Sequence, residues 1–349
     1  MEDKLTTEPI MKKIPIILIP GIMGTSIIRN TDNKQLWPSI LSSNIIALAL
    51  DPNGNDIPNQ AASPGRVIRS FLTRKVYSPT FDFFKRNGYV EGIDLFEYPY
   101  DWRKDLRIAS RNLEDTINQA KEKSNSEKVI LIAHSMGGLV ARHYLINQSN
   151  TKNIEKIFIL GTPHIGAPKS YATIRYGKED PIPWWIPTRP TPSELMVAIG
   201  NMLGLYMVLP TKKYETISKD GFLIYNDNRL NLDQTYYENG GVNIKMIESA
   251  MKFHDDLEMA WDKNPFAETY LMIGKLGANS TIGAIIVNVS GTNVSIKYEM
   301  VEGDKTVPLI STKSIKVPPT NVFEFNVEHQ ELASDSNVLN RILSLIEKV

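Results

Sequence analysis

The chain has 349 residues, with 39 Lys and Arg balanced by 39 Asp and Glu, and it contains no cysteine. A neutral balance gives no electrostatic basis for nucleic acid as a partner. Without cysteine there is no disulfide framework, thiolate nucleophile or Cys-based metal site. The length and a hydrophobic fraction of 42% supply the core of one large α/β domain with insertions, or of two ordinary domains.

The chain opens Met1-Glu2-Asp3-Lys4, and the apolar run after Lys12-Lys13 is short, so it reads as a buried strand and not as a signal peptide. No window approaches the roughly 18 apolar residues of a membrane span. The expectation is a cytoplasmic protein.

Ile14-Pro15-Ile16-Ile17-Leu18-Ile19 is followed by Pro20-Gly21-Ile22-Met23-Gly24-Thr25, a continuous apolar run bounded by Gly and Pro, as in a central strand buried on both faces. Residues 37–76 look irregular. Ser78 to Asn87 is predicted to be a short helix with Gly88 beyond its end, and Ala109, Leu113, Ile117 and Ala120 mark one face of a helix over 108–122. Lys128 to Ala133 is a buried strand that runs into His134-Ser135-Met136-Gly137-Gly138 and a helix over 139–146. A further strand, 156–160, ends in Gly161-Thr162-Pro163.

Strands alternating with helices indicate a parallel sheet covered on both faces. From about 170 to 264 the pattern breaks down. Pro181-Ile182-Pro183-Trp184-Trp185-Ile186-Pro187 is too proline-rich for a helix or central strand, and 195–209 resumes an apolar, helix-compatible character. This region reads as an inserted cap. A strand over 268–273, a hairpin over 284–298, a strand over 322–327 and a last helix bearing Val338, Leu339, Ile342, Leu343 and Ile346 complete the chain. The expected organisation is a core of 11–169 and 265–349, with an irregular insertion about 37–76 and a cap or lid over 170–264.

Ala133-His134-Ser135-Met136-Gly137 has the form of a nucleophile elbow with Ala in place of the first Gly. A sharp strand-to-helix turn lifts the serine oxygen out of the sheet and tolerates only small residues two before and two after it. The blander reading is a serine capping a helix, but the preceding strand and following helix are what the elbow requires. Such a turn also places the Met136 N–H at a helix start, where negative charge is favoured.

In this arrangement the acid and then the histidine follow the serine in the chain. Of the five histidines only His329 lies late, in a loop between the last strand and the last helix. Asp304, in the turn Gly303-Asp304-Lys305-Thr306-Val307-Pro308, precedes it by 25 residues; Glu302 and Asp335 are alternatives. The second donor of an oxyanion hole belongs to the loop after an early strand, which makes Ile22 N–H the partner of Met136 N–H, with Gly21 and Gly24 allowing close backbone approach.

Pro20-Gly21-Ile22-Met23-Gly24-Thr25, Tyr100-Asp101-Trp102-Arg103, Ala133-His134-Ser135-Met136-Gly137-Gly138, Gly161-Thr162-Pro163-His164-Ile165-Gly166-Ala167-Pro168, Gly303-Asp304-Lys305-Thr306-Val307-Pro308 and His329 span nearly the whole chain. With these motifs the chain resembles the lecithin:cholesterol acyltransferase-like family of α/β-hydrolases, which includes phospholipase A and phospholipid acyltransferase members. The resemblance implies an α/β-hydrolase fold, the same triad of Ser135, Asp304 and His329, the same oxyanion donors Ile22 and Met136, a lipid-like acyl donor and a mobile lid. The Ala at 133 departs from the usual elbow. The missing cysteines and export signal mean that the plasma or lumenal setting of animal and plant members does not carry over.

The expected function is cleavage or transfer of the acyl group of a lipid-like ester through an acyl-enzyme on Ser135, with no cofactor and no metal. An esterase for small soluble esters and a non-catalytic hydrolase-fold binding module are the alternatives. Trp184, Trp185, Ile186, Leu195, Met196, Leu203, Leu205, Tyr206, Met207 and Leu209 give the cap an apolar face that would cover an acyl chain or touch a lipid surface, or else form the cap's own core. Asp101-Trp102-Arg103 reads as a buried aromatic with a local ion pair bracing a loop near the site. His143 and His164 read as structural, and His254-Asp255-Asp256 as exposed helix surface.

Overall fold

The computed structural model describes residues 13–179, 189–261 and 267–348. The proline-rich stretch with Trp184, Trp185 and Ile186, and the first twelve residues, lie outside them.

Six parallel strands form the central sheet, in the spatial order Val322–Phe325, Glu268–Gly274, Ile154–Leu160, Val129–His134, Ile16–Ile19, Leu95–Glu97. The central strands are apolar on both faces, and the period of two splits them. Ile17, Ile19, Leu131 and Ala133 pack into one core with Leu113 and Ile117 of the helix Leu106–Ser124. Ile16, Leu18, Ile130 and Ile132 pack into a second core with Phe81 and Phe84 of the helix Ser78–Arg86 and with Leu339 and Ile342 of the helix Ser336–Ile346. Both faces of the sheet are therefore covered, which is why these strands read as unbroken hydrophobic runs.

The strand order reverses beside Ile16–Ile19. The chain first steps to Leu95–Glu97 on one side, then returns to Val129–His134 on the other and builds outward. In an open parallel sheet the crevice outside the carboxyl ends of the strands at such a switch point is where ligands bind. Ile19 pairs with Ala133, so the next residues of the two strands, Pro20-Gly21-Ile22 and His134-Ser135-Met136, leave the sheet side by side.

The segment 37–76 is more regular than its sequence indicates. It contains the helix Ser42–Ile46 and the strand Ala62–Val67, which pairs antiparallel with Thr25–Arg29 at the edge of a three-stranded sheet. Pro64 and Gly65 interrupt any alternation in that strand, and an edge is where a sheet accepts proline. The expected apolar run 195–209 divides into the helices Pro192–Ile199 and Leu203–Tyr206. The hairpin Thr281–Ser290 and Asn293–Val301 joins Leu223–Tyr225 and Asn228–Leu230 in a four-stranded sheet, so the layer beside the core draws on residues on both sides of 264. No helix among the described residues is long and apolar enough to cross a membrane.

Arg103 ties the 37–76 segment to the core. Fully buried, it donates to Asp101 at 2.9 and 2.7 Å and to the carbonyls of Leu48 at 3.1 Å and Ala62 at 3.3 Å. Removing it leaves an unpaired carboxylate and two carbonyls without their donor. Arg103→Ala should lower the unfolding free energy by about 3–5 kcal/mol, measured by urea denaturation; a loss below about 1 kcal/mol, the value of a solvent-exposed pair, would show that the clamp is unimportant.

Candidate active site

Ser135 occupies the left-handed backbone region, with φ of +54°, between the strand Val129–His134 and the helix Gly137–Tyr144. A non-glycine residue holds that conformation only where its surroundings enforce it. Here missing side chains permit the bend. A Cβ on Gly137 would stand 2.6 Å from the carbonyl oxygens of both Ile19 and Pro20, and one on Gly21 would stand 2.9 Å from the Cβ of Ser135. A Cβ on Gly138 would overlap Thr162, whose hydroxyl donates to the Ser135 carbonyl at 2.7 Å.

The structure brings Ser135, His329 and Asp304 together from three separate parts of the chain. Ser135 Oγ lies 2.8 Å from His329 Nε2, and His329 Nδ1 lies 2.7 Å from Asp304 Oδ2. All three are buried. Asp304 Oδ1 accepts from the amides of Thr306 at 3.0 Å and Val307 at 2.7 Å, while the His329 amide donates to the Asp304 carbonyl at 2.9 Å. The carboxylate is thus held by its own turn, with one oxygen left for the imidazole. Of the alternative acids, Glu302 pairs loosely with Lys275 and Asp335 caps the final helix by accepting from Asn337 and Val338.

Two glycines make room for this pair. A Cβ on Gly274 would lie 2.7 Å from the Cβ of Asp304. Gly161, with φ of +58°, would place a Cβ 3.1 Å from His329 Nδ1 and 3.2 Å from Asp304 Oδ2. The loop carrying Ile22 is fixed by the polar tips of four aromatic residues. Tyr77 Oη accepts from Gly21 N–H at 2.9 Å, Tyr100 donates to Pro20 O at 2.9 Å, Trp37 to Met23 O at 2.7 Å and Trp102 to Thr25 O at 3.0 Å. Among the described residues, neither Ile22 N–H nor Met136 N–H meets a protein acceptor. Tyr77 and Trp37 carry no signal in the sequence, and Gly161 appears there only as the start of a motif, because each acts through a contact with residues distant in the chain.

An apolar pocket adjoins this loop. It is lined by Ile22, Met23, Trp37, Leu48 and Trp102 of the core and by Leu195, Ile199, Met202 and Leu205 of the inserted region. The indole N–H groups of both tryptophans are already engaged with backbone carbonyls, so they present only carbon to it. His164 and His143 lie away from the triad, against Arg142 at 3.2 Å and Ser110 at 2.8 Å. The expectation of exposed surface at His254 is incorrect. Its imidazole is buried with Nε2 2.8 Å from the Met207 carbonyl, because that position faces the core on the long helix Ile244–Trp261.

The family model of lecithin:cholesterol acyltransferase matches residues 67–280, more than half of the chain. The chain belongs to the lecithin:cholesterol acyltransferase family. Its matched region includes Ser135 and Met136. Among curated proteins, this family member is 25% identical over 298 residues to lecithin-cholesterol acyltransferase-like 1 of Arabidopsis thaliana, covering 75% of this chain and 62% of that protein. It is 38% identical over 85 residues to phospholipase A(1) LCAT3 of the same plant, covering 23% of this chain and 19% of that one. The chain therefore spans less than two thirds of the length of either relative. Among solved structures, the Tle4–Tli4 complex contains a chain that superimposes with a TM-score of 0.69 at 16% identity, covering 96% of this chain and 99% of that one. The likeness establishes a shared fold, that of the α/β-hydrolases.

Gly161→Ala provides a test of how tightly the site is packed. Gly92 also has a positive φ, yet a Cβ there would meet nothing within 4 Å. Gly161→Ala should therefore destabilise the fold by about 1–3 kcal/mol more than Gly92→Ala, as read by chemical denaturation. Equal losses would mean that the space beneath the Asp304–His329 pair is not filled as described.

Proposed function

We propose that this family member is a serine-dependent ester hydrolase or acyltransferase that acts on a lipid-like acyl ester through an acyl-enzyme on Ser135. The observation that carries this reading is the continuous series of contacts from Ser135 Oγ to His329 Nε2 and from His329 Nδ1 to Asp304. His329 Nε2 takes the hydroxyl proton as Ser135 Oγ attacks the ester carbonyl. Asp304 holds the ring in the tautomer that leaves Nε2 free to accept, and stabilises the imidazolium that forms. The amides of Ile22 and Met136 donate to the oxygen of the tetrahedral intermediate, a contribution of about 2.7–4 kcal/mol for each such donor. Collapse expels the alcohol, which leaves with the proton from His329. Water or a second alcohol then gives its proton to His329, attacks the acyl-enzyme and restores the Ser135 hydroxyl.

Two observations support a lipid-like acyl group. The small pocket beside Ile22 offers carbon surface alone, which suits contact with the hydrocarbon part of an acyl group and not with a polar one. Val197 is 68% exposed on the same helix whose Leu195 and Ile199 line that pocket, and Ile40 and Leu41 are exposed beside the neighbouring helix Ser42–Ile46. The segment 170–264 acts as the cap in this reading, covering the acyl chain, and Val197 of the cap together with Ile40 and Leu41 of the 37–76 segment faces a lipid surface.

A fluorophosphonate probe should label the wild-type protein and leave Ser135→Ala unlabelled; an unlabelled wild type would favour a non-catalytic binding module. On p-nitrophenyl esters of rising chain length, kcat/KM should rise beyond acetate. Ile199→Trp, which fills the pocket, should move the optimum to shorter chains. A preference for acetate alone, unchanged in Ile199→Trp, would point to an esterase for small soluble esters.

A further inference from the structure

His134, the residue before the nucleophile, is buried and takes no part in the steps above. Its Nε2 lies 2.9 Å from the backbone carbonyl of His329, and its Nδ1 lies 2.8 Å from Tyr77 Oη. A carbonyl only accepts, so Nε2 must carry the proton and donate. Nδ1 is then a bare acceptor, and the Tyr77 hydroxyl donates to it. The same hydroxyl accepts from Gly21 N–H at 2.9 Å. Every bond therefore points one way, from Gly21 N–H through Tyr77 and His134 to the carbonyl of His329.

We infer that His134 and Tyr77 are positioning residues that fasten the backbone of His329 to the Gly21 turn, so that the base and the anion hole are set by one hydrogen-bond chain. The inference rests on the catalytic reading of Ser135. Hydrogen bonds aligned in this manner polarise and strengthen one another in a buried setting. The geometry also explains an imidazole at 134. The position needs a neutral, rigid ring with an acceptor at one end and a donor at the other, and a neutral imidazole supplies both. Burial holds the pKa of this ring down to about 3, and the neighbouring His329, 5.1 Å away between ring centres, acts in the same direction. His134 is accordingly neutral at neutral pH, and its two partners select the tautomer that the chain requires. Burial likewise holds the Tyr77 phenol protonated, as its donor role demands.

The test is the rate of phosphonylation by a fluorophosphonate, resolved into a maximal rate and a half-saturating probe concentration, for wild type, Tyr77→Phe, His134→Leu, the double variant and His134→Gln. Tyr77→Phe removes one oxygen and keeps the ring, so it reports even if His134→Leu fails to fold. The maximal rate should fall roughly ten- to a hundredfold in Tyr77→Phe and His134→Leu, as expected for a misplaced reacting group, with little change in the half-saturating concentration. The double variant should be no slower than the slower single variant, because both break one chain. His134→Gln, which keeps one donor and one acceptor, should recover part of the rate. Wild-type rates in Tyr77→Phe, multiplicative losses in the double variant, or a His134→Gln as slow as His134→Leu would each overturn the inference and leave the catalytic reading standing. A wild-type protein that never labels would overturn both.

Discussion

The close approach of two strand ends governs this molecule. Ile19 and Ala133 are paired neighbours in the sheet, and immediately beyond them the chain must place a loop and a reverse-handed bend side by side. That is sterically possible only because Gly21, Gly137 and Gly138 carry no side chain where the Ser135 Cβ, backbone carbonyls or Thr162 already fill the space. A positive φ at Ser135 is unfavourable for any residue with a Cβ. It persists because the buried strand on one side and the buried helix on the other leave the chain no alternative path. The strain at Ser135 and the placement of its hydroxyl at the carboxyl edge of the sheet have one origin.

The supports around the bend differ in kind. The acid is held by local bonds within its own turn, from Thr306 and Val307. The loop with Ile22 is held by long-range bonds, since Tyr77, Tyr100, Trp37 and Trp102 reach it from elsewhere in the chain. A loop fixed at four points by rigid aromatic side chains has its amides oriented before any substrate arrives. Such preorganised donors need no reorientation when charge develops on a reacting oxygen. The same tryptophans turn their carbon faces toward the apolar pocket, so one pair of side chains both holds the loop and shapes the neighbouring surface.

Features that depend on local pattern were legible in the sequence. The strand runs around Ile17 and Leu131 are apolar on both faces, and the small residues around Ser135 mark a bend that few other contexts require. The fold class follows from those patterns, the resemblance to the family rests on the motifs, and the match of the family model shows the membership. Features created by chain crossings were not legible. The strand Ala62–Val67 has too few apolar residues to announce itself and forms because Thr25–Arg29 offers it an edge. His254 looks like helix surface beside Asp255 and Asp256, yet the turn of the helix carries it inward to Met207. Gly161 looks like an ordinary loop glycine until Asp304 and His329 are found packed above it.

The central claim is that Ser135 carries the acyl group during turnover. It is tested most directly by mixing the protein with a phospholipid, quenching rapidly with acid and mapping the peptides by mass spectrometry. The account predicts a peptide containing Ser135 that is heavier by the mass of one fatty acid less one water. Release of fatty acid by a Ser135→Ala protein at the wild-type rate, with no acylated peptide in either protein, would contradict it.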